Sequence, residues 1–138
     1  HHGHEGKSVE LVRALCERIR VPADCRELAI AVARDHGNVQ RALELRATTV
    51  VELLERIDAF RRPQRFAEFL QACESDFRGR PGYESRAFPP AAYLAQALVV
   101  ARGIDAGAIA RAVAPAQIRD ALFRARADAV EAWRRQNI

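Results

Sequence analysis

Arg61–Glu84, RRPQRFAEFLQACESDFRGRPGYE, is the stretch from which the fold can be worked out. Phe66, Phe69, Leu70, Cys73 and Phe77 lie three and four residues apart, which puts them on one face of an α-helix and predicts that face to be buried. Pro63 suits the first turn of this helix, where a missing N–H leaves no bond unmade. The pattern stops at Arg78-Gly79-Arg80, and Pro81, Gly82, Tyr83 and Glu84 add no aliphatic side chain. A solvated loop accepts almost any residue, so a loop this charged and this rich in glycine invites a functional reading.

The same periodicity extends outward in both directions. Toward the N-terminus, Val12, Leu15, Cys16 and Ile19 form one apolar stripe, a turn follows at Val21-Pro22-Ala23-Asp24, and Cys25, Leu28, Ala29 and Val32 form a second stripe ending near Gly37. These two segments predict a helical hairpin. Asn38 is a candidate cap for a short helix through Leu45, and Thr48 or Thr49 for the next one. That next helix turns Val50, Val51, Leu53, Leu54, Ile57 and Phe60 inward and leaves Glu52, Glu55, Arg56 and Asp58 outside. Toward the C-terminus, Phe88-Pro89-Pro90 opens a helix with Tyr93, Leu94, Ala97, Leu98 and Val100 on its apolar side, and Gly103 stops it. A short helix follows from Ala106 to Val113, and Pro115 opens the last, with Ile118, Leu122, Ala125, Ala129 and Trp133 as its stripe. The fold class is therefore all-α, a single helical domain of about six to eight helices.

Composition narrows the function classes. With 138 residues, 49% of them hydrophobic and 29% charged, the chain is long enough for one domain with a real core. No apolar run approaches the length of a membrane span and no signal-peptide pattern opens the chain, so the cytoplasm is the expected location, with no membrane partner. Twenty-two basic against eighteen acidic residues give a net charge of +4, all but Lys7 of the cations being arginine. That balance permits polyanion binding without requiring it. Cys16, Cys25 and Cys73 form no Cys-x-x-Cys pair and are expected as reduced thiols on apolar helix faces. Methionine is absent and the first residue is histidine, which predicts further sequence upstream.

Several groups of residues are candidates for chemistry or binding. His1-His2-Gly3-His4 reads either as a tag remnant or as the start of the first helix. His4 precedes Leu15 by eleven residues and His36 follows Cys25 by eleven, so in an antiparallel hairpin both histidines reach the same end, as a metal site needs or as helix-end residues do. Arg61, Arg62 and Arg65 form either a phosphate-facing patch or a solvated corner. Arg78 and Arg80 sit among Glu74, Asp76 and Glu84, which favours a structural ion-pair knot over an RNA contact. Arg119 and Arg126 have no acid three or four residues away, unlike Arg124 and Arg135, so they form an unpaired ridge beside Phe123, suited to a phosphate backbone or to covering apolar surface. No Gly-rich phosphate loop, strand-borne carboxylate pair or nucleophile with an adjacent base is visible.

Glu74-x-Asp76-x-Arg78-Gly79-Arg80-x-Gly82-x-Glu84, preceded by Asp58-Ala59-Phe60-Arg61-Arg62-Pro63-Gln64-Arg65, resembles the C-terminal region of bacterial CCA-adding enzymes, tRNA nucleotidyltransferases that carry an HD domain. The likeness takes in His1-His2-Gly3-His4-Glu5 and the closing helix from Ala129 to Trp133, and so covers essentially the whole chain. It implies that residues 1–47 are the rear part of an HD-type domain and residues 48–138 a helical body and tail packed with it. His4 and His36 match two metal-binding histidine positions of that domain, while its His-Asp pair would lie upstream of His1 and Gly37 stands where many relatives have aspartate. The resemblance further implies tRNA as partner, ATP and CTP acting through an upstream head that uses Mg2+, Ni2+ or another divalent ion at the HD site, phosphohydrolase activity there, and compatibility with a homodimer. On this reading the chain supports the enzyme body and helps hold tRNA, and has no catalytic residue for polymerisation itself. The alternatives are a stand-alone helical scaffold or interaction module, and a phosphohydrolase that completes its site from another chain.

Overall fold

In the computed structural model the backbone is described over residues 2–19 and 23–137, and the side chains over 5–18 and 23–137. Every regular element among them is helical. The order is α1 (His2–Ile19), α2 (Ala23–Gln40), a 3-10 turn (Ala42–Glu44), α3 (Ala47–Arg56), α4 (Pro63–Arg78), α5 (Pro89–Arg102), α6 (Ala106–Ala112), a second 3-10 turn (Pro115–Gln117) and α7 (Ile118–Asn137). The all-α expectation holds. Among the described residues no single helix is long and apolar enough to cross a membrane.

The core lies where α3, α4, α5 and α7 meet. Val50, Val51, Leu53 and Leu54 of α3 are fully buried, as the stripe predicts, and they join Phe66 and Phe69 of α4, Leu94 and Ala97 of α5 and Val130 of α7 in one continuous cluster. Phe66 and Phe69 stack with ring centroids 6.0 Å apart. The corner before α4 is sharp because Asp58 adopts φ 61, a left-handed conformation that aspartate tolerates better than most residues. Ala59 then returns its N–H to the Leu54 carbonyl at 2.9 Å, and Pro63 begins α4.

Local signals were less reliable at helix ends. The second helix runs through Gly37 to Gln40, and Asn38 caps nothing; its side chain donates to the Asp35 carboxylate at 3.4 Å. Neither threonine caps α3, whose N-cap is Arg46 without a side-chain bond. Tertiary packing of α3 replaces the capping bond that a local rule would supply. Asp105 is a cap of the expected kind, accepting from the Ala108 N–H at 3.0 Å. Replacing Asp105 with alanine is expected to lower stability by about 1 kcal/mol, read as a shift in the urea unfolding midpoint.

The first two helices do form an antiparallel hairpin. Glu17 faces Arg26 across the turn at 3.9 Å, and the Glu5 carboxylate lies against Gly37 at the other end. The α1 stripe is narrower than the sequence suggests: Cys16 is buried and Val12 half-buried, but Leu15 is 51% exposed. The side chain of Ile19 lies outside the described residues. On α2, Cys25 is exposed, which corrects its placement as a core thiol, whereas Leu28 and Val32 pack at the edge of the core. A helix packed on one neighbour buries only a narrow strip, so a wide apolar stripe overstates what disappears from solvent.

The last helix is rotated from its expected face. Ala127 and Val130 are its buried residues, with Phe123 and Trp133 packed beside them, while Ile118, Leu122, Ala125 and Ala129 are only half-buried. Arg134 anchors the far end by donating to the carbonyls of Leu45 and Leu43, the latter at 3.2 Å. Small residues let α7 approach α3 and α5 closely, and that contact, rather than side-chain bulk, selects the inward face.

Candidate nucleic-acid interface

One buried charge organises the hairpin against the body. Asp35 is 1% exposed and is the buried charged side chain among the described residues. Arg56, at the end of α3, donates Nη2 to Oδ1 at 2.7 Å and Nε to Oδ2 at 3.3 Å, and Arg34 donates Nε to Oδ2 at 2.9 Å. Burial pushes the Asp35 carboxyl up, but the hydrogen bonds and charge of Arg56 and Arg34 outweigh it and hold the group below its ordinary value. Arg56 is exposed, as the sequence places it, yet its guanidinium reaches back onto α2, to a partner twenty-one residues away. Nothing in a helical stripe signals a partner at that separation.

Of the three arginines around Pro63, two converge on the hairpin. Arg62 and Arg65 approach the same Glu27 oxygen of α2, at 3.8 and 3.3 Å, and Arg65 also donates to the Asp24 carbonyl at 3.4 Å. Arg61 is separate, with an 82% exposed side chain beside Asp58 at 3.6 Å. Glu27 is the acid that local spacing could not reveal.

The Arg78-Gly79-Arg80 loop is pinned from within. Arg78 pairs with Glu74 at 2.6 Å and donates Nε to the Arg86 carbonyl at 3.1 Å, so it closes the loop on α4. Tyr83 packs edge-on against Phe77 at 5.1 Å between centroids, and Arg86 lies over its ring at 4.2 Å. Arg80 reaches the same ring from 6.0 Å and is exposed. Gly82, at φ +87, supplies the one left-handed turn that the loop needs.

The α7 ridge divides. Arg119 is exposed and makes no ion pair or hydrogen bond among the described residues. Arg126 is turned inward with the rotated helix; its guanidinium lies 3.8 Å from the centroid of the Phe60 ring, and its buried Nε has no hydrogen-bond partner. Burial lowers its proton affinity, with Glu55 opposing. Arg135 pairs with Glu131 at 3.3 Å as its spacing predicts, whereas Arg124 makes no such pair among the described residues.

His36 lies near the end of α2, and its Nδ1 sits 3.0 Å from the Val32 carbonyl, an arrangement in which Nδ1–H donates and Nε2 stays available. It shares an apolar groove with Asp76 and Ser8. The side chain of His4 lies outside the described residues, although the contact of Glu5 with Gly37 puts the start of α1 beside the end of α2. Among the described residues no group of three or more His, Cys, Asp or Glu side chains gathers that could hold a metal ion. Cys73 offers no alternative nucleophile, because burial, then Asp76 and Asp35, push its thiol up to about 12.

Comparison with known proteins agrees with the motifs. The chain is 60% identical over 133 residues to the multifunctional CCA protein of Paraburkholderia phytofirmans, a match covering 95% of this chain and 32% of that protein. It is 58% identical over 133 residues to that of Burkholderia vietnamiensis and 59% identical over 132 residues to that of Burkholderia pseudomallei. Over nearly its whole length, then, the chain is similar to one part of a multifunctional CCA protein, and it spans 32% of the length of these relatives. No family model matches it, and no solved structure does.

Proposed function

We propose that this chain is the C-terminal, tRNA-supporting region of a multifunctional CCA protein, a CCA-adding tRNA nucleotidyltransferase of the cytoplasm. The observation that carries this is the 60% identity over 95% of the chain. The polymerising chemistry, with ATP, CTP and Mg2+, is assigned to sequence outside this chain, and residues 1–47 to the rear of an HD domain. What these residues contribute is a rigid helical body that presents arginines to a phosphate backbone, a term that dominates nucleic-acid affinity and weakens with salt.

A chimera tests the assignment. Residues 1–138 replacing the matching third of the Paraburkholderia phytofirmans protein should keep addition of C, C and A to a tRNA lacking its 3′ end. A chimera that folds yet extends no tRNA would count against the assignment. Within the chimera, Arg119→Ala should raise KM for tRNA and flatten the log–log salt slope of tRNA binding by about 0.9, the loss of one phosphate contact. Arg126→Ala should behave differently. Its guanidinium stacks on Phe60, so its loss is expected mainly as about 1–2 kcal/mol of stability, with the salt slope unchanged.

A further inference from the structure

Between the middle of α1, the first part of α2 and the α3–α4 corner lies a cleft of about 420 Å3, within the range of about 300–1,000 Å3 usual for small-molecule sites. Its lining includes Arg13 of α1, Arg26 and Arg34 of α2, Arg56 of α3, and Arg62 and Arg65 at the entry to α4. Glu27 and Asp58 are the acids that line it with them. We propose that this cleft is a phosphate-binding site, taking a phosphate or pyrophosphate group between guanidiniums contributed by four helical segments.

Six like charges brought into one concavity from separate parts of the chain repel each other, and with Asp35 behind Arg34 and Arg56 and Glu17 beside Arg26 counted alongside the lining Glu27 and Asp58, a positive excess remains. An anion would balance it. The site also has preorganised donors. Asp35, itself buried, fixes Arg34 through Nε and Arg56 through Nε and Nη2, which leaves both terminal nitrogens of Arg34 and one of Arg56 uncommitted to it. A guanidinium whose plane is already held loses little rotamer freedom when it forks onto a phosphate. Asp35 is thus a positioning residue for the cleft.

Arg62 and Arg65 share the single carboxylate of Glu27, and Arg13 and Arg26 are less committed. Arg13 makes no ion pair among the described residues, and the partner of Arg26, Glu17, stands at 3.9 Å with its side chain 71% exposed. Ile30, Ala31 and Ile57 form an apolar part of the wall, which lowers the local dielectric and strengthens charge pairing. The groove that holds His36 is lined by other α2 positions, Leu28, Ala29, Val32 and Ala33, so the cleft is a different place on the molecule from the histidine end. The inference does not depend on the tRNA assignment.

The test uses the intact chain and inorganic pyrophosphate. Millimolar pyrophosphate should raise Tm above a sodium chloride control of equal ionic strength, and calorimetry should give a saturable isotherm. R13E/R26E, checked for helicity and unchanged Tm without ligand, should weaken pyrophosphate binding by at least about tenfold, the loss of one charge-assisted hydrogen bond or more. Arg102→Glu, exposed at the end of α5 and outside the cleft lining, should leave it unaltered. If tRNA displaces pyrophosphate, the phosphate is supplied by an RNA backbone; if both bind together, it belongs to a free phosphate compound. Either result supports the site. A pyrophosphate effect no greater than the salt control, or equal affinity in R13E/R26E, would overturn it. Retained tRNA binding in that case would leave the tRNA assignment standing without the cleft.

Discussion

Arg56→Met is expected to destabilise the protein by about 3 kcal/mol, measured by urea unfolding at pH 7. The substitution keeps an aliphatic stem but removes two of the three arginine hydrogen bonds to Asp35, whose side chain is 2% exposed. Arg34 and the longer contact from Asn38 then face a buried carboxylate alone. Arg34→Met removes a single bond from the same carboxylate and should cost less, about 1.5 kcal/mol. The order of the two variants is as informative as their size, because a merely exposed pair of arginines would give near-equal, small effects.

The same group predicts a pH dependence. The folded carboxyl titrates below its ordinary value of 3.8, so its contribution is complete above that value and is lost as pH falls through the lower, folded one. Stability should therefore be flat in this respect near neutrality and decline below about pH 4. In Arg56→Met the counter-charge is halved while burial remains, which raises the carboxyl and should move the acid transition to higher pH. An acid transition at the same pH in both proteins would show that Asp35 is not the group responsible.

Phe69→Ala should cost more, about 3–5 kcal/mol. Phe69 is 0% exposed, stacks on Phe66 and is enclosed by α3, α4 and α5 residues of the same cluster, so the void left behind has rigid helical walls. Leu15→Ala provides the contrast. That side chain is 51% exposed on α1, and its truncation should change stability by no more than about 0.5 kcal/mol. Paired denaturation curves check both.

How much could be read from the residues differs between core and site. The central stripes of α3, α4 and α5 were legible because bulky apolar side chains at helical spacing have few other places to go. So was the self-contained knot of Arg78 and Glu74, since partners four residues apart share a helix face. The stripe of α7 was misread because Ala127 and Val130 carry little bulk, yet they are what a closely packed neighbour accepts. Arg126 followed them inward, onto a phenylalanine from the α3–α4 corner, so a ridge that looked continuous presents Arg119 without it.

By itself the sequence determined that this protein is all-helical, where α4 and α5 begin and which family its motifs resemble, because periodicity, proline and glycine act within a few residues. The tertiary structure alone decided which charges meet. Arg56 reaches Asp35, Arg62 and Arg65 reach Glu27, and six arginines close on one cleft only after the hairpin has docked on the body. Electrostatic partners act through space, over separations of twenty to fifty residues along this chain, and no local pattern records them.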